Sequence, residues 1–189
     1  MVFLRIETIV KETRIEGLNS VGSQGLLEQP TLALFCSVKC PASIILKTYD
    51  LAQKLKDHKT PVISGFHSPV EQEMLVTLLR GESPIIVCPA RSIAKMRIPA
   101  HWKPHIENGR MTIVSPFPDH LRRATQESAA TRNRLVAALA SQVFIAYAEP
   151  GGKTETFART LIADGVDVRT FDTEQTHNLL ESGAKTLDL

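Results

Sequence analysis

The chain predicts an α/β protein with a Rossmann-like three-layer fold: a mostly parallel twisted sheet with helices on both faces. Three observations carry this. Short runs such as Thr31–Ser37 (TLALFCS), Pro84–Cys88 (PIIVC) and Val143–Ala148 are apolar nearly throughout, the pattern of strands buried on both faces. Stretches with helical spacing of apolar residues separate them, giving a β-α-β-α alternation. The 189 residues, 43% hydrophobic and 22% charged, suit one domain with a substantial core.

Taken in order, residues 1–30 form an N-terminal extension or edge strand, and residues 31–189 the Rossmann-like domain. Val2–Val10 has strand character, while Gly17–Gln29, rich in Gly, Ser and Asn, reads as a loop. After the Thr31–Ser37 strand, Pro41 suits a first helical turn, where its missing N–H costs nothing. The helix Ala42–Lys56 is expected to turn Ile45, Leu46, Tyr49, Ala52 and Leu55 to the core. A short strand, Pro61–Ser64, leads to a helix opened by Ser68 or Pro69 and running to about Arg80. Glu71 and Glu73 in its first turn read as surface acids that suit the positive helix end.

Pro84–Cys88 is the next strand, Arg91–Lys95 a short helix, and Met111–Ser115 a further strand ended by Pro116 and Pro118. Asp119–Ser141 reads as one long helix or two in sequence, with Leu135, Val136, Leu139 and Ala140 toward the sheet. The strand Val143–Ala148 is broken by Pro150-Gly151-Gly152, and Lys153–Asp164 resumes helical spacing. Val166–Phe171 is the last clear strand. Thr173 can cap a helix through about Gly183, and Lys185–Leu189 forms a short terminal strand.

A net charge of +2 does not demand a nucleic-acid partner, so any basic footprint is local. No apolar stretch reaches membrane-spanning length, and charges are threaded through the N-terminal apolar residues, so neither a membrane span nor a secretory signal is expected. The expected location is the cytoplasm. Cys36, Cys40 and Cys88 are too few, and odd in number, for a disulfide framework. Their spacing with His67 matches no familiar zinc pattern, and no metal or cofactor is expected.

In a parallel sheet ligands gather at the carboxyl ends of the strands. That rule brings together Ser37–Cys40, Ser64–Ser68, Pro89–Arg91, Ser115–Pro118 and Glu149–Thr154. Glycines admit close backbone approach, and the helix after Gly151-Gly152 offers unpaired N–H groups and a positive dipole end. Lys153, Thr154 and Thr156 add a cation and hydroxyls. Ser64, Gly65, His67 and Ser68 form a second such corner. Arg132-Asn133-Arg134, one helix before the central strand, can clamp an anion with planar guanidinium forks. The basic segment Arg91–Arg110 with His120, Arg122 and Arg123 reads as a solvated surface, since 5% aromatic content offers few stacking platforms. No nucleophile–base pair, G-x-G-x-x-G or P-loop is legible.

These residues resemble the DNA-processing protein A (DprA/Smf) family over roughly Thr31–Leu187. The resemblance rests on Cys36-Ser37-Val38-Lys39, Val62-Ile63-Ser64-Gly65, Ile85–Cys88, Thr112–Ser115 with Pro116, and Thr131-Arg132-Asn133-Arg134. It continues through Gly151-Gly152-Lys153-Thr154-Glu155-Thr156 and Leu179–Ala184. It implies an extended Rossmann fold, a homodimer or higher homo-oligomer, and binding of nucleotide or single-stranded DNA. The phosphate contacts expected from the convergence of the glycine turns with Arg132-Asn133-Arg134 on this rim are Ser37, Lys39, Ser64, Gly65, His67, Ser68, Arg91, Arg132, Asn133, Arg134, Gly151, Gly152, Lys153, Thr154 and Thr156. The chain departs from the family where Gly-Ser-Arg usually follows the first strand, and at Phe66–Glu71. The helical and winged-helix modules of many members are not expected here.

Pro150-Gly151-Gly152 is also similar to the Pro-Gly-Gly-x-Gly-Thr-x-x-Glu motif of lysine-decarboxylase-like phosphoribohydrolases. That resemblance implies an alternative, hydrolysis of nucleoside monophosphates with Arg134 and either Glu155 or Glu149. The motif's glutamate position is Ala158, however, and its second glycine is Thr154. A binding protein without chemistry of its own is therefore the first expectation.

Overall fold

The computed structural model describes residues 17–187; the expected strand at Val2–Val10 lies outside them. Among the described residues eight strands form one sheet: β1 (Asn19–Gly22), β2 (Leu32–Phe35), β3 (Val62–Ser64), β4 (Ile85–Val87), β5 (Met111–Ser115), β6 (Gln142–Ile145), β7 (Val168–Thr170) and β8 (Lys185–Thr186). Their spatial order is β1-β5-β4-β3-β2-β6-β7-β8. Every pairing is parallel except β1 on β5, where Asn19 meets Ser115 and Gly22 meets Thr112. The helices are α1 (Ala42–Leu55), α2 (Pro69–Leu79), α3 (Lys103–Glu107), α4 (Gln126–Leu139), α5 (Lys153–Ala163) and α6 (His177–Glu181).

Alternation along the central strands builds two cores. Leu32, Leu34 and Cys36 face one side with Val62, Ile85 and Val87, and are covered by Ile44, Leu51 and Leu55 of α1 and Met74 and Leu78 of α2. Ala33 and Phe35 face the other side with Ile63, Ile86, Val143 and Ile145. There they meet Val136 and Leu139 of α4, Ala158 and Leu161 of α5, and Leu179 of α6. Because both faces are covered, β2, β3 and β4 are buried at every position, which is why they carry no polar alternation.

Four expectations are corrected. Gly17–Gln29 is not merely a loop: it holds β1 and a 3₁₀ turn, Gln24–Glu28. Gly22 is needed there, with φ of +107° and no room for a side chain against the β5 backbone. Arg91–Lys95 is not helical but a set of turns, tied by Ser92 N–H to Leu121 O at 2.8 Å. Helix formation in Asp119–Ser141 is confined to α4. It starts at a capping box in which Thr125 Oγ1 accepts from Ser128 N–H and Ser128 Oγ accepts from Thr125 N–H. Finally, α1 is rotated from the expected face. Ile44, Thr48, Leu51, Ala52 and Leu55 are buried, whereas Leu46 and Tyr49 are 68% and 51% exposed and Ile45 is exposed too. Thr48 conceals the true stripe in the sequence: it is polar, but its hydroxyl donates to Ile44 O at 2.7 Å, so it can be buried.

Candidate functional site

The topological switch point lies between β2 and β6. From β2 the chain proceeds to α1 on one face; from β6 it proceeds to α5 on the other. The two departing loops are bonded to each other. Ser37 N–H donates to Tyr147 O (2.9 Å), Ala146 N–H to Phe35 O (2.9 Å), and Glu149 N–H to Ser37 Oγ (3.0 Å). The corners after β3 and β6 lie on the same, carboxyl rim, because β3, β2 and β6 run parallel.

The N-termini of the four longer helices fall into two kinds, and the five-residue helices α3 and α6 have no side-chain cap bond. α2 is closed by its own capping box: Ser68 Oγ accepts from Glu71 N–H at 3.3 Å, and the Glu71 carboxylate accepts from Ser68 N–H at 3.2 Å. The Thr125–Ser128 box closes α4 likewise. The helices that leave the switch point, α1 and α5, have Pro41 and Gly152 as caps and no side-chain cap bond. Among the described residues, the Lys153, Thr154 and Glu155 N–H groups have no protein acceptor. Gly151 has φ of +73°, and a side chain on Gly152 would come within 2.8 Å of Glu149 O, so this turn depends on both glycines. Lys153 is exposed beside it and Thr154 is half-buried. Thr156 turns its hydroxyl back to Gly152 O at 3.2 Å.

The corner after β3 is filled from within. Ser64 is fully buried; its hydroxyl donates to Leu34 O (2.8 Å) and accepts from Phe66 N–H (3.1 Å). Ser68 is spent on the capping box. His67 is exposed, but its N–H donates to Glu71 Oε2 at 2.7 Å. Glu71 is not a surface acid, as the sequence suggested. It is buried, and its other oxygen accepts from Cys36 N–H at 3.0 Å, joining the ends of β2 and β3. Phe66, between these residues, sits at φ of +45° while buried, a conformation that costs about 1–3 kcal/mol and that nothing in the sequence announced.

Arg132 covers this corner. Its guanidinium lies directly over Gly65, where an added Cβ would fall 1.0 Å from Nη1. Nη1 donates to Cys88 O (3.1 Å) and Nε to Asn133 Oδ1 (2.7 Å). The side chain is buried, and no carboxylate lies within ion-pair distance of it among the described residues. Burial lowers its pKa from the usual guanidinium value, and the Glu71 charge offsets part of that. Arg134, two residues on, is exposed and reaches only Thr131 Oγ1 at 3.5 Å. Residues two apart on a helix do not share a face, so the two guanidinium groups diverge. Arg91 is half-buried in the loop after β4, where its carbonyl accepts from Ser115 Oγ at 2.8 Å.

Glu155, a candidate acid of the hydrolase alternative, is buried in a network. It accepts from Gly151 N–H (2.7 Å), Asn178 Nδ2 (2.8 Å) and Arg159 (3.2 Å). The Gly151 N–H, then Asn178, hold its pKa below the ordinary carboxylate range. Asn178 also donates to Ala148 O at 3.1 Å, so this set shapes the β6–α5 turn. Sequence reading missed Asn178, because nothing in its spacing ties it to a turn 30 residues away. Among the described residues, no group of three or more His, Cys, Asp or Glu is arranged to hold a metal.

The family model for DNA recombination-mediator protein A matches residues 15–188. No curated protein matches the chain. Among solved structures, DNA processing protein A from Streptococcus pneumoniae is similar at 18% identity and a TM-score of 0.73, over 90% of this chain and 62% of that one. DNA processing protein A from Helicobacter pylori, described for its single-stranded DNA binding mode, is similar at 22% identity and a TM-score of 0.72, over 89% of this chain and 80% of that one. The chain thus spans under two thirds of the Streptococcus protein, and these likenesses show the Rossmann-like fold.

Proposed function

The chain belongs to the DNA recombination-mediator protein A family, and from that premise we propose that it binds the phosphates of single-stranded nucleic acid or nucleotide at the carboxyl rim of its sheet. The observation that carries this reading is the division among the helix N-termini. Those at the switch point are left without side-chain caps, while their neighbours α2 and α4 cap themselves. An anion at α5 would accept from the Lys153, Thr154 and Glu155 N–H groups and meet the positive helix end. Ser37, Lys39, Gly151, Gly152, Lys153 and Thr154 face that anion in this reading. Ser64, Gly65, Ser68 and Arg132 build the neighbouring corner, with the buried Arg132 charge adding positive potential. His67, Arg91, Asn133, Arg134 and Thr156 sit at the margin. The reading is also supported by the Helicobacter relative, whose single-stranded DNA binding has been described. No observation favours the hydrolase alternative over it.

The test is fluorescence anisotropy with a labelled oligothymidine across a salt series. Affinity should fall steeply with salt, and Lys153→Gln should weaken binding and reduce the logarithmic slope by about 0.7, the value for one phosphate contact on a single strand. Absence of binding at low salt would remove the nucleic-acid arm, and calorimetry with mononucleotides would then decide the other. An unchanged slope in Lys153→Gln would remove the α5 site.

The same reading includes a homodimer or higher homo-oligomer acting in the cytoplasm. Its support is the apolar ridge of Ile45, Leu46 and Tyr49 on α1 with Val76 on α2, all exposed. Charge of both signs flanks it, Lys47 and Asp50 on α1 and Glu73 on α2, as a self-complementary contact requires. Sedimentation should give a mass above 20.9 kDa that Leu46→Lys lowers; a monomer at all concentrations would refute it. Among the described residues no helix is long and apolar enough to cross a membrane.

A further inference from the structure

Tyr147 follows β6 at the switch point, and the loop after β2 holds its backbone: its carbonyl accepts from Ser37 N–H at 2.9 Å. The ring is partly buried and packs against the core on the α1 side of the sheet. Among the described residues its hydroxyl has no protein partner, and it is not sealed from solvent. Burial first, and then the Glu149 charge, raise its pKa, so it remains a phenol at neutral pH and can donate. The other phenylalanines near strand ends on this rim are committed to the core. Phe66 and Phe117 are buried, and Phe171 packs edge-on against Phe144 with ring centroids 5.0 Å apart.

The loop that Ser37 ties to Tyr147 also carries Val38, which is 65% exposed. The other exposed large apolar side chains among the described residues, Ile45, Leu46, Tyr49 and Val76, lie on α1 and α2. Lys39 is exposed next to Val38. At the start of α1, which has no side-chain cap, Ala42 and Ser43 N–H have no protein acceptor among the described residues. An aromatic ring and an exposed valine thus stand at the same corner as anion-seeking groups. A ligand that suits both carries a flat apolar face next to phosphate, and a nucleotide is built that way.

We propose that Tyr147 is a nucleobase platform: one base of the phosphate-bearing ligand stacks on its ring, with Val38 against the base edge. This rests on the phosphate-binding reading above and deepens it by naming what the rim holds besides the backbone. Every base has a π-face, so such a platform is tolerant of sequence. It does select against duplex, where each base is already stacked between its neighbours and must be unstacked at a cost before it can reach a ring.

The test compares labelled oligothymidine with an abasic strand of the same length by fluorescence anisotropy. Tyr147→Leu should weaken oligothymidine binding about 5–150-fold, the range for loss of one base–aromatic stack, with the salt slope unchanged. The same variant should leave the abasic strand within about twofold of wild type, because that strand offers only phosphate and sugar. Tyr147→Trp should bind oligothymidine at least as tightly as wild type, and in a Trp102→Phe background its fluorescence should be quenched by the strand. If mononucleotide alone binds, thymidine monophosphate against deoxyribose phosphate makes the same comparison. Equal losses for the two ligands of a pair, or no loss for either, would overturn the platform, while a Lys153→Gln effect in the same assay would keep the phosphate reading. Failure of all these ligands to bind the wild type would overturn both.

Discussion

Replacing Gly65 with alanine tests how the rim is built. The methyl group would fall 1.0 Å from Arg132 Nη1 and 2.0 Å from Cζ. Arginine is long and can swing aside, so the cost is not a backbone clash. It is the loss of the seat. Leaving Gly65 forfeits the 3.1 Å bond from Nη1 to Cys88 O. A hydrogen bond from a charged donor contributes about 1.5–3 kcal/mol, and the Cys88 carbonyl would be left without that partner. Gly65→Ala should therefore destabilise the protein by about 1.5–3 kcal/mol in urea unfolding, read from the midpoint with the slope unchanged. In an Arg132→Met background the obstruction is smaller and the bond already absent. There Gly65→Ala should be neutral, or stabilising by about 0.4–1 kcal/mol through the unfolded chain. Equal costs in both backgrounds would refute the claim that Gly65 exists to admit Arg132.

Three further outcomes follow from the polar networks. Glu71→Ala removes the acceptor of Cys36, His67 and Ser68 N–H, and should cost about 2–4 kcal/mol by the scale of charge-assisted bonds; a cost under about 0.5 kcal/mol, the usual range for surface substitutions, would show that the capping network is idle. Glu155→Gln should cost about 1–3 kcal/mol at neutral pH, since both its oxygens accept hydrogen bonds. The folded-state pKa of Glu155 is lowered, so its contribution is full above the unfolded carboxylate pKa of about 4.3 and is lost as pH falls through the folded value. The stability gap to Glu155→Gln should shrink over that acid window, and a gap independent of pH would refute the linkage. Thr48→Val keeps the shape of the buried α1 stripe but removes a hydroxyl whose bond is local; it should cost about 0.5–1.5 kcal/mol in thermal unfolding, the net contribution of one hydrogen bond, whereas Thr48→Lys should prevent folding.

The sheet was legible because burial on both faces writes strands as uninterrupted apolar runs, and the parallel order followed from the helices between them. The face of α1 was not legible. Ile45, Leu46 and Tyr49 match helical spacing as well as Ile44, Leu51 and Leu55 do, and only the buried Thr48 hydroxyl distinguishes the two stripes. The rim was legible as a set of loops but not in its internal division. Serine and threonine before a helix signal a cap or a ligand with equal force, and the choice depends on whether the third residue reaches back. Glu71 and Ser128 do so for α2 and α4. In α5 the glutamate at the same offset, Glu155, reaches Gly151 N–H, one residue before the cap.

That one-residue difference links the architecture to the proposed function. In α2 the acid closes the cap on itself, placing negative charge where an anion would sit. In α5 the carboxylate is drawn back under the turn by Gly151, Asn178 and Arg159, leaving the first-turn N–H groups without acceptors. Glu155 thus stabilises the turn without occupying its mouth. A glutamate aimed into the mouth would repel phosphate, so under the proposed function Asn178 would support binding without touching the ligand. Asn178→Leu removes two donors from this set and frees Glu155 to move toward its own helix end. It should weaken oligonucleotide binding more than Asn178→Gln does, at equal fold stability by circular dichroism. If both variants bind like wild type, the uncapped state of α5 is not what the turn was built to preserve.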